Sequence, residues 1–118
     1  MKANSKNFLK KEFPNLLSGK VSTSKMYESK DDKKYLDNLW FTFLYDDLKK
    51  YEYLIFAGAL DYENKNFKIL QVPSDSIINN IDKISMTEKG WINLYLSMNG
   101  YVDLRGKSQL SFSEFLLN

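Results

Sequence analysis

Two triplets in this chain have the residue types and spacing of metal-assisted hydrolysis: Glu28-Ser29-Lys30, and Glu63-Asn64-Lys65 with Asp61 just ahead of it. Mg²⁺-dependent nucleases place a carboxylate two residues before a lysine on a strand, with a second carboxylate nearby. The acids hold the metal and the lysine helps position the attacking water. With 27% charged residues, a chain produces such triplets by chance. The second triplet also falls in a turn, where metal ligands are held poorly without supporting contacts. Asp46-Asp47, followed by Lys49-Lys50, reads as a solvated turn at a strand end rather than as a metal site. No catalytic residue, no metal and no cofactor is expected.

The remaining chemistry is narrow. Cysteine and histidine are both absent, which removes disulfides, thiol nucleophiles, the usual zinc ligands and imidazole acid–base catalysis. Gly19, Gly58, Gly90, Gly100 and Gly106 are scattered and none has the spacing that cradles a phosphate, which argues against nucleotide hydrolysis. Trp40, Phe41, Phe43, Tyr45, Trp91 and Tyr95 are capable of forming a base-stacking platform. In a domain of 118 residues, with basic residues sparse after position 50, their default role is core packing.

The elements that must position these residues are organised around the stretch from Tyr53 to Ser76. Tyr53 to Leu60 is a run of apolar and small residues too short for a membrane span, and it reads as a central strand covered on both faces. A polar turn, Asp61 to Asn66, leads into a hairpin partner that Pro73 closes, because proline offers no N–H to the ladder. Ser74 or Asp75 then caps a short helix carrying Ile77, Ile78 and Ile81.

Around this unit, Phe8, Leu9, Phe13, Leu16 and Leu17 recur at helical intervals, and Pro14 ends or breaks the amphipathic helix they form. Lys20 to Glu28, rich in Ser and Thr, reads as an edge strand whose free side can pair with another chain. Leu39 to Tyr45 is aromatic and β-branched, which fits a strand. Ile84 to Met86 is a short extended piece before a turn at Thr87 to Gly90. Trp91 to Ser97 reads as a strand, Asn99-Gly100 as a tight hairpin turn and Tyr101 to Arg105 as its return strand. Ser111 and Glu114 have capping-box spacing for a short C-terminal helix. The fold class is therefore α+β: a mainly antiparallel or mixed sheet of about five to six strands, an N-terminal helix and short packed helices in one domain.

Charge is unevenly spread. Residues 1 to 34 hold nine lysines and four acids, whereas residues 35 to 118 hold eight basic and eleven acidic residues. The basic end either meets phosphate or is a lysine-rich surface in a lysine-rich chain. No apolar run approaches 18 residues and no charged-then-apolar leader is present, so a cytoplasmic protein without a membrane span is expected.

Thr23-Ser24-Lys25, Leu39-Trp40-Phe41-Thr42-Phe43, Lys50 to Gly58 and Ile69 to Ser74, in that order, resemble the second half of restriction-endonuclease-like domains of the PD-(D/E)xK superfamily. The likeness covers roughly residues 20 to 80 and rests on structural rather than catalytic motifs. In that superfamily the metal-binding carboxylates precede this region, on the strand that ends in the catalytic lysine. Lys20 is the nearest match to that lysine, Ser18 stands where the acid belongs and Pro14-Asn15 offers an amide in place of an aspartate. The resemblance thus implies a sheet scaffold whose metal site is eroded or was never present.

These readings converge on a non-enzymatic protein-binding module. Its most concrete form is an inhibitor or immunity-type protein acting on a nucleic-acid-processing enzyme, as phage anti-defence proteins do. Asp46, Asp47, Asp61 and Glu63 then imitate phosphate spacing while Tyr51 and Tyr62 anchor the interface. One alternative is a divergent Mg²⁺-dependent DNA endonuclease. The other is a DNA-binding accessory domain using Lys20, Lys25, Lys30, Lys33 and Lys34.

Overall fold

The computed structural model describes residues 2–28, 37–61, 66–105 and 110–118. The fold is α+β, built on one mixed five-stranded sheet. The strands are β1 (Lys20–Tyr27), β2 (Asn38–Leu44), β3 (Tyr53–Asp61), β4 (Asn66–Pro73) and β5 (Trp91–Ser97). They lie in the order β4-β3-β1-β2-β5. β1 and β3 run parallel, and every other neighbouring pair is antiparallel. Three helices accompany the sheet: α1 (Lys2–Glu12), the single-turn α2 (Asp47–Lys50) and α3 (Ser74–Ile78).

β3 behaves as its composition requires. Leu54 to Ala59 are all buried, because β3 is hydrogen-bonded on both sides and covered on both faces. β4 pairs with it as a hairpin that ends at Pro73. The following helix begins at Ser74, but neither Ser74 nor Asp75 caps it: the Ser74 hydroxyl donates instead to the Tyr51 carbonyl at 2.6 Å, tying α3 to the start of β3.

The expected edge strand at Lys20 to Glu28 is a correction. β1 is the middle strand, paired with β3 from Lys20 to Lys25 and with β2 only at Met26 and Tyr27. Where β1 and β2 part, serine side chains span the gap. Ser22 Oγ donates to the Thr42 carbonyl at 3.1 Å, and Ser24 Oγ accepts the Trp40 N–H at 2.9 Å. The serines that read as part of an exposed edge are thus used to satisfy backbone groups of β2 in the middle of the sheet.

The outer sides of the sheet are occupied from within the chain. Along β4, the Leu117 N–H donates to the Ile69 carbonyl at 2.9 Å, and the Asn118 side chain accepts from the Ile69 N–H and donates to the Phe67 carbonyl, both at 2.8 Å. Along β5, the Asn93 N–H donates to the Ser85 carbonyl at 3.1 Å and the Tyr95 carbonyl accepts from Leu104 at 2.7 Å. The Tyr101 to Arg105 segment makes isolated bridges, through Val102 and Asp103, rather than a full return strand. Its turn takes positive φ at Gly100 (+84°) and Tyr101 (+51°), one residue later than Asn99-Gly100 predicts. Ser111 and Glu114 do not form a capping box. The C-terminal helix is one 3₁₀ turn, Ser113–Phe115, without a side-chain cap.

The two faces of the sheet are treated differently. The inner face carries the main core, with Leu39, Phe41 and Phe43 of β2, Leu54 and Phe56 of β3, and Ile92, Leu94 and Leu96 of β5. Among the described residues, the outer face is covered over one half. There α1 and the following 3₁₀ turn seat Phe8, Leu9, Phe13 and Leu16 on Val21, Ile55, Ala57 and Ile69. Over β2 and β5 the outer face is open, with Trp40, Thr42, Leu44 and Trp91 exposed.

Candidate functional site

Strand alternation decides which aromatics face outward. Residues two apart share a face, so Phe41 and Phe43 enter the core while Trp40 and Leu44 point the other way. β5, in antiparallel register with Trp40 opposite Tyr95, places Trp91, Asn93 and Tyr95 on that same outer face. The end of β1 adds Lys25 and Tyr27. Of the aromatics whose default role is core packing, Phe41 and Phe43 follow it. Trp40 and Trp91 do not, being 38% and 45% exposed.

Three rings from three adjacent strands form a row. The Tyr27 and Trp40 centroids lie 6.0 Å apart and those of Trp40 and Tyr95 5.2 Å apart, with the rings tilted by 58° and 51°. Each end of the row carries a cation. Lys25 Nζ lies 5.1 Å from the Tyr27 ring centroid, and the Arg105 guanidinium lies 5.1 Å from that of Tyr95. Both distances are within cation–π range.

Arg105 is held in place by its own donors. Nη1 donates to Tyr95 Oη at 2.9 Å and Nε to Ser85 Oγ at 3.1 Å. The central ring is fixed as well, since Trp40 Nε1 donates to Asn93 Oδ1 across the β2–β5 pair at 3.3 Å. Fixed rings and a fixed guanidinium lose little side-chain entropy when a ligand is seated on them.

Among the described residues, the acidic candidates Asp46, Asp47 and Asp61 are not gathered into one site. Asp46 is exposed at the end of β2. Asp47 is buried, and its Oδ2 accepts the Leu44 N–H at 3.0 Å. Asp47 is therefore a turn-forming group rather than a solvated one: it accepts a backbone N–H from the last residue of β2. Tyr51 is half-buried where the chain enters β3. Asp61 closes the same strand at the far end, about 26 Å away at the usual rise per residue. Tyr62 and Glu63 lie outside the described residues. So do Lys30, Lys33, Lys34 and Lys65. Lys20 opens β1, and of the lysine candidates described only Lys25 reaches the aromatic row.

A polar cleft of about 260 Å³ lies at the end of the sheet where β1 and β3 begin. Asn15 and Ser18, which occupy the positions where the nuclease resemblance would have acids, line it together with Lys50, Tyr51 and Glu52. Glu52 is the one carboxylate in that lining. Among the described residues no group of three Asp or Glu side chains is arranged to hold a metal ion.

Comparison with protein-family models, with curated proteins and with solved structures gives no match for this chain. Its function is therefore argued from the geometry of the site.

Sequence reasoning named Trp40, Trp91, Tyr95 and Lys25 but not Tyr27 or Arg105. Tyr27 shares the odd-numbered face of β1 with Lys25, which alternation alone makes readable. Arg105 reaches Tyr95 only because its segment folds back along β5, and no local pattern signals that.

Proposed function

We propose that the protein is a non-enzymatic binding module whose docking surface is the open half of the sheet, and that it serves as a nucleic-acid-binding accessory domain. The observation that carries this reading is the Tyr27–Trp40–Tyr95 row with a cation seated on each end. Aromatic faces with flanking positive charge suit a polyanion that also offers planar groups. The cleft at the start of β1 and β3, with its amide and hydroxyl in place of acids, supports the non-enzymatic part. A chain without cysteine suits the reducing cytoplasm, where such a domain would work.

A protein partner is the second reading, and a specific observation favours it. Trp91 and Leu44, both exposed and opposite one another, extend the open face with apolar surface, and Trp, Tyr and Arg are the side chains that dominate protein interfaces. In that form the module is an inhibitor or immunity-type protein seated on a nucleic-acid-processing enzyme.

The test is incubation with plasmid duplex and single-stranded DNA, with and without Mg²⁺ or Mn²⁺, read by cleavage and by mobility shift. Binding without cleavage is the expected result, with affinity falling as salt rises. Metal-dependent cleavage abolished by Glu63→Ala or Glu28→Ala would revive the endonuclease. Neither cleavage nor binding to either DNA form would remove the accessory-domain reading and leave the inhibitor.

A further inference from the structure

Resting on the nucleic-acid reading, we infer that the open face takes single strands rather than duplex, with bases on the rings of Tyr27, Trp40 and Tyr95 and phosphates on Lys25 and Arg105. In a duplex the bases are already stacked on one another and present only their edges in the grooves. Three rings in a row on a sheet have nothing to stack on there. In a single strand each nucleotide offers a planar base and an anionic phosphate together, and this face carries groups complementary to both.

The geometry places the parts in that order. Trp40, 38% exposed, occupies the centre of the row, between the two tilted tyrosines. The two charges sit at its ends rather than at its centre, so a strand lying across β1, β2 and β5 meets cation, rings and cation in turn. Arg105 is anchored to Ser85 through Nε and to Tyr95 through Nη1, which holds its guanidinium at the end of the row.

An acidic polypeptide matches the charges but does not carry a planar group beside every charge, as each nucleotide does. This difference makes the proposal separable from a purely electrostatic one. Stacking persists in salt, whereas ion pairing with phosphate weakens by a slope of about 0.7 per phosphate contact on a single strand.

The test is fluorescence titration of the whole chain with oligodeoxythymidylate, oligouridylate and a duplex of equal length, at several salt concentrations. Quenching of tryptophan emission by either single strand, with weaker binding of the duplex, is the expected result. Trp40→Ala should weaken single-strand binding by about 5- to 140-fold, the loss of one stacked base. Lys25→Ala with Arg105→Ala should lower the salt slope by about 1.4 and leave the quenching at saturation intact. Both cations are exposed, so this variant folds even where Trp40→Ala does not.

Duplex binding as tight as single-strand binding would overturn the inference while leaving the accessory-domain reading in place. Single-strand affinity unchanged in both variants would overturn it too, as would equal competition by polyglutamate, which would assign the face to an acidic protein. No binding of any nucleic acid would overturn the inference and the reading together.

Discussion

Gly58 of β3 lies directly against Leu39 of β2, across the inner face of β1: a methyl group built on Gly58 would stand 2.5 Å from Leu39 Cδ1 and 2.9 Å from Cδ2. Leu39 is fully buried, so any shift that makes way for the methyl must be taken up by the core around it. Gly58→Ala is therefore expected to destabilise the fold by about 1–3 kcal/mol through overpacking. Leu39→Ala alone should cost about 2–5 kcal/mol through the cavity it leaves. Because the added methyl would fill part of that cavity, the double variant should lose less than the sum. A double-mutant cycle by urea denaturation reads this coupling directly.

Asp47 supports the corner between β2 and α2. Its buried carboxylate is the acceptor for the Leu44 N–H. Asp47→Ala leaves that donor without its partner and should cost about 1–3 kcal/mol. Asp47→Asn keeps an acceptor oxygen and should recover a large part of the loss. Urea midpoints of the two variants check the order.

Tyr101 gives the fold a sensitivity to base. Burial pushes its phenol up from the ordinary 10.0, because the charged form is desolvated. The folded state therefore holds the proton after the unfolded chain has lost it. The associated stability is fully present below the unfolded pKa and is lost as pH rises through the folded one. Tyr101→Phe removes this contribution without altering the backbone. The urea midpoint of the wild type should fall more steeply than that of Tyr101→Phe as pH rises above about 10. Parallel curves would show that this phenol carries no such linkage.

Asn118 completes the β4 side of the sheet with its side chain, doing with an amide what a further strand residue does with its backbone. Asn118→Ala removes two hydrogen bonds at about 0.5–1.5 kcal/mol each. The effect should be local. The Ile69 amide should exchange faster with solvent while amides of β2 keep their protection, which hydrogen-exchange measurement by NMR resolves residue by residue.

Much of the architecture is legible in the chain because it rests on local rules. The apolar run of β3, the stop at Pro73 and the position of β5 follow from composition and punctuation. The middle strand is not legible, because Ser22 and Ser24 owe their place to hydrogen bonds with Thr42 and Trp40, some twenty residues away. The candidate site is half legible. Alternation separates Trp40 from Phe41, but which of the two faces water depends on where α1 docks, and α1 covers only the β1–β3–β4 half. The separation of Asp46 from Asp61 is not legible for a related reason: Asp46 follows β2 and Asp61 closes β3, strands running in opposite directions, and strand direction is a property of topology rather than of spacing.

The central placement of β1 also sets an order of events during synthesis. β1 is made first, yet its parallel neighbour is complete only at Asp61, so at ordinary ribosomal speeds about 2–7 s separate the two. Throughout that interval the segment Lys-Val-Ser-Thr-Ser-Lys has no sheet to join. A strand of Val and Ile in this place would be a sticky nascent chain. One made of serine, threonine and lysine stays hydrated until β3 arrives, and two of the hydroxyls that keep it in water, those of Ser22 and Ser24, then bridge it to β2.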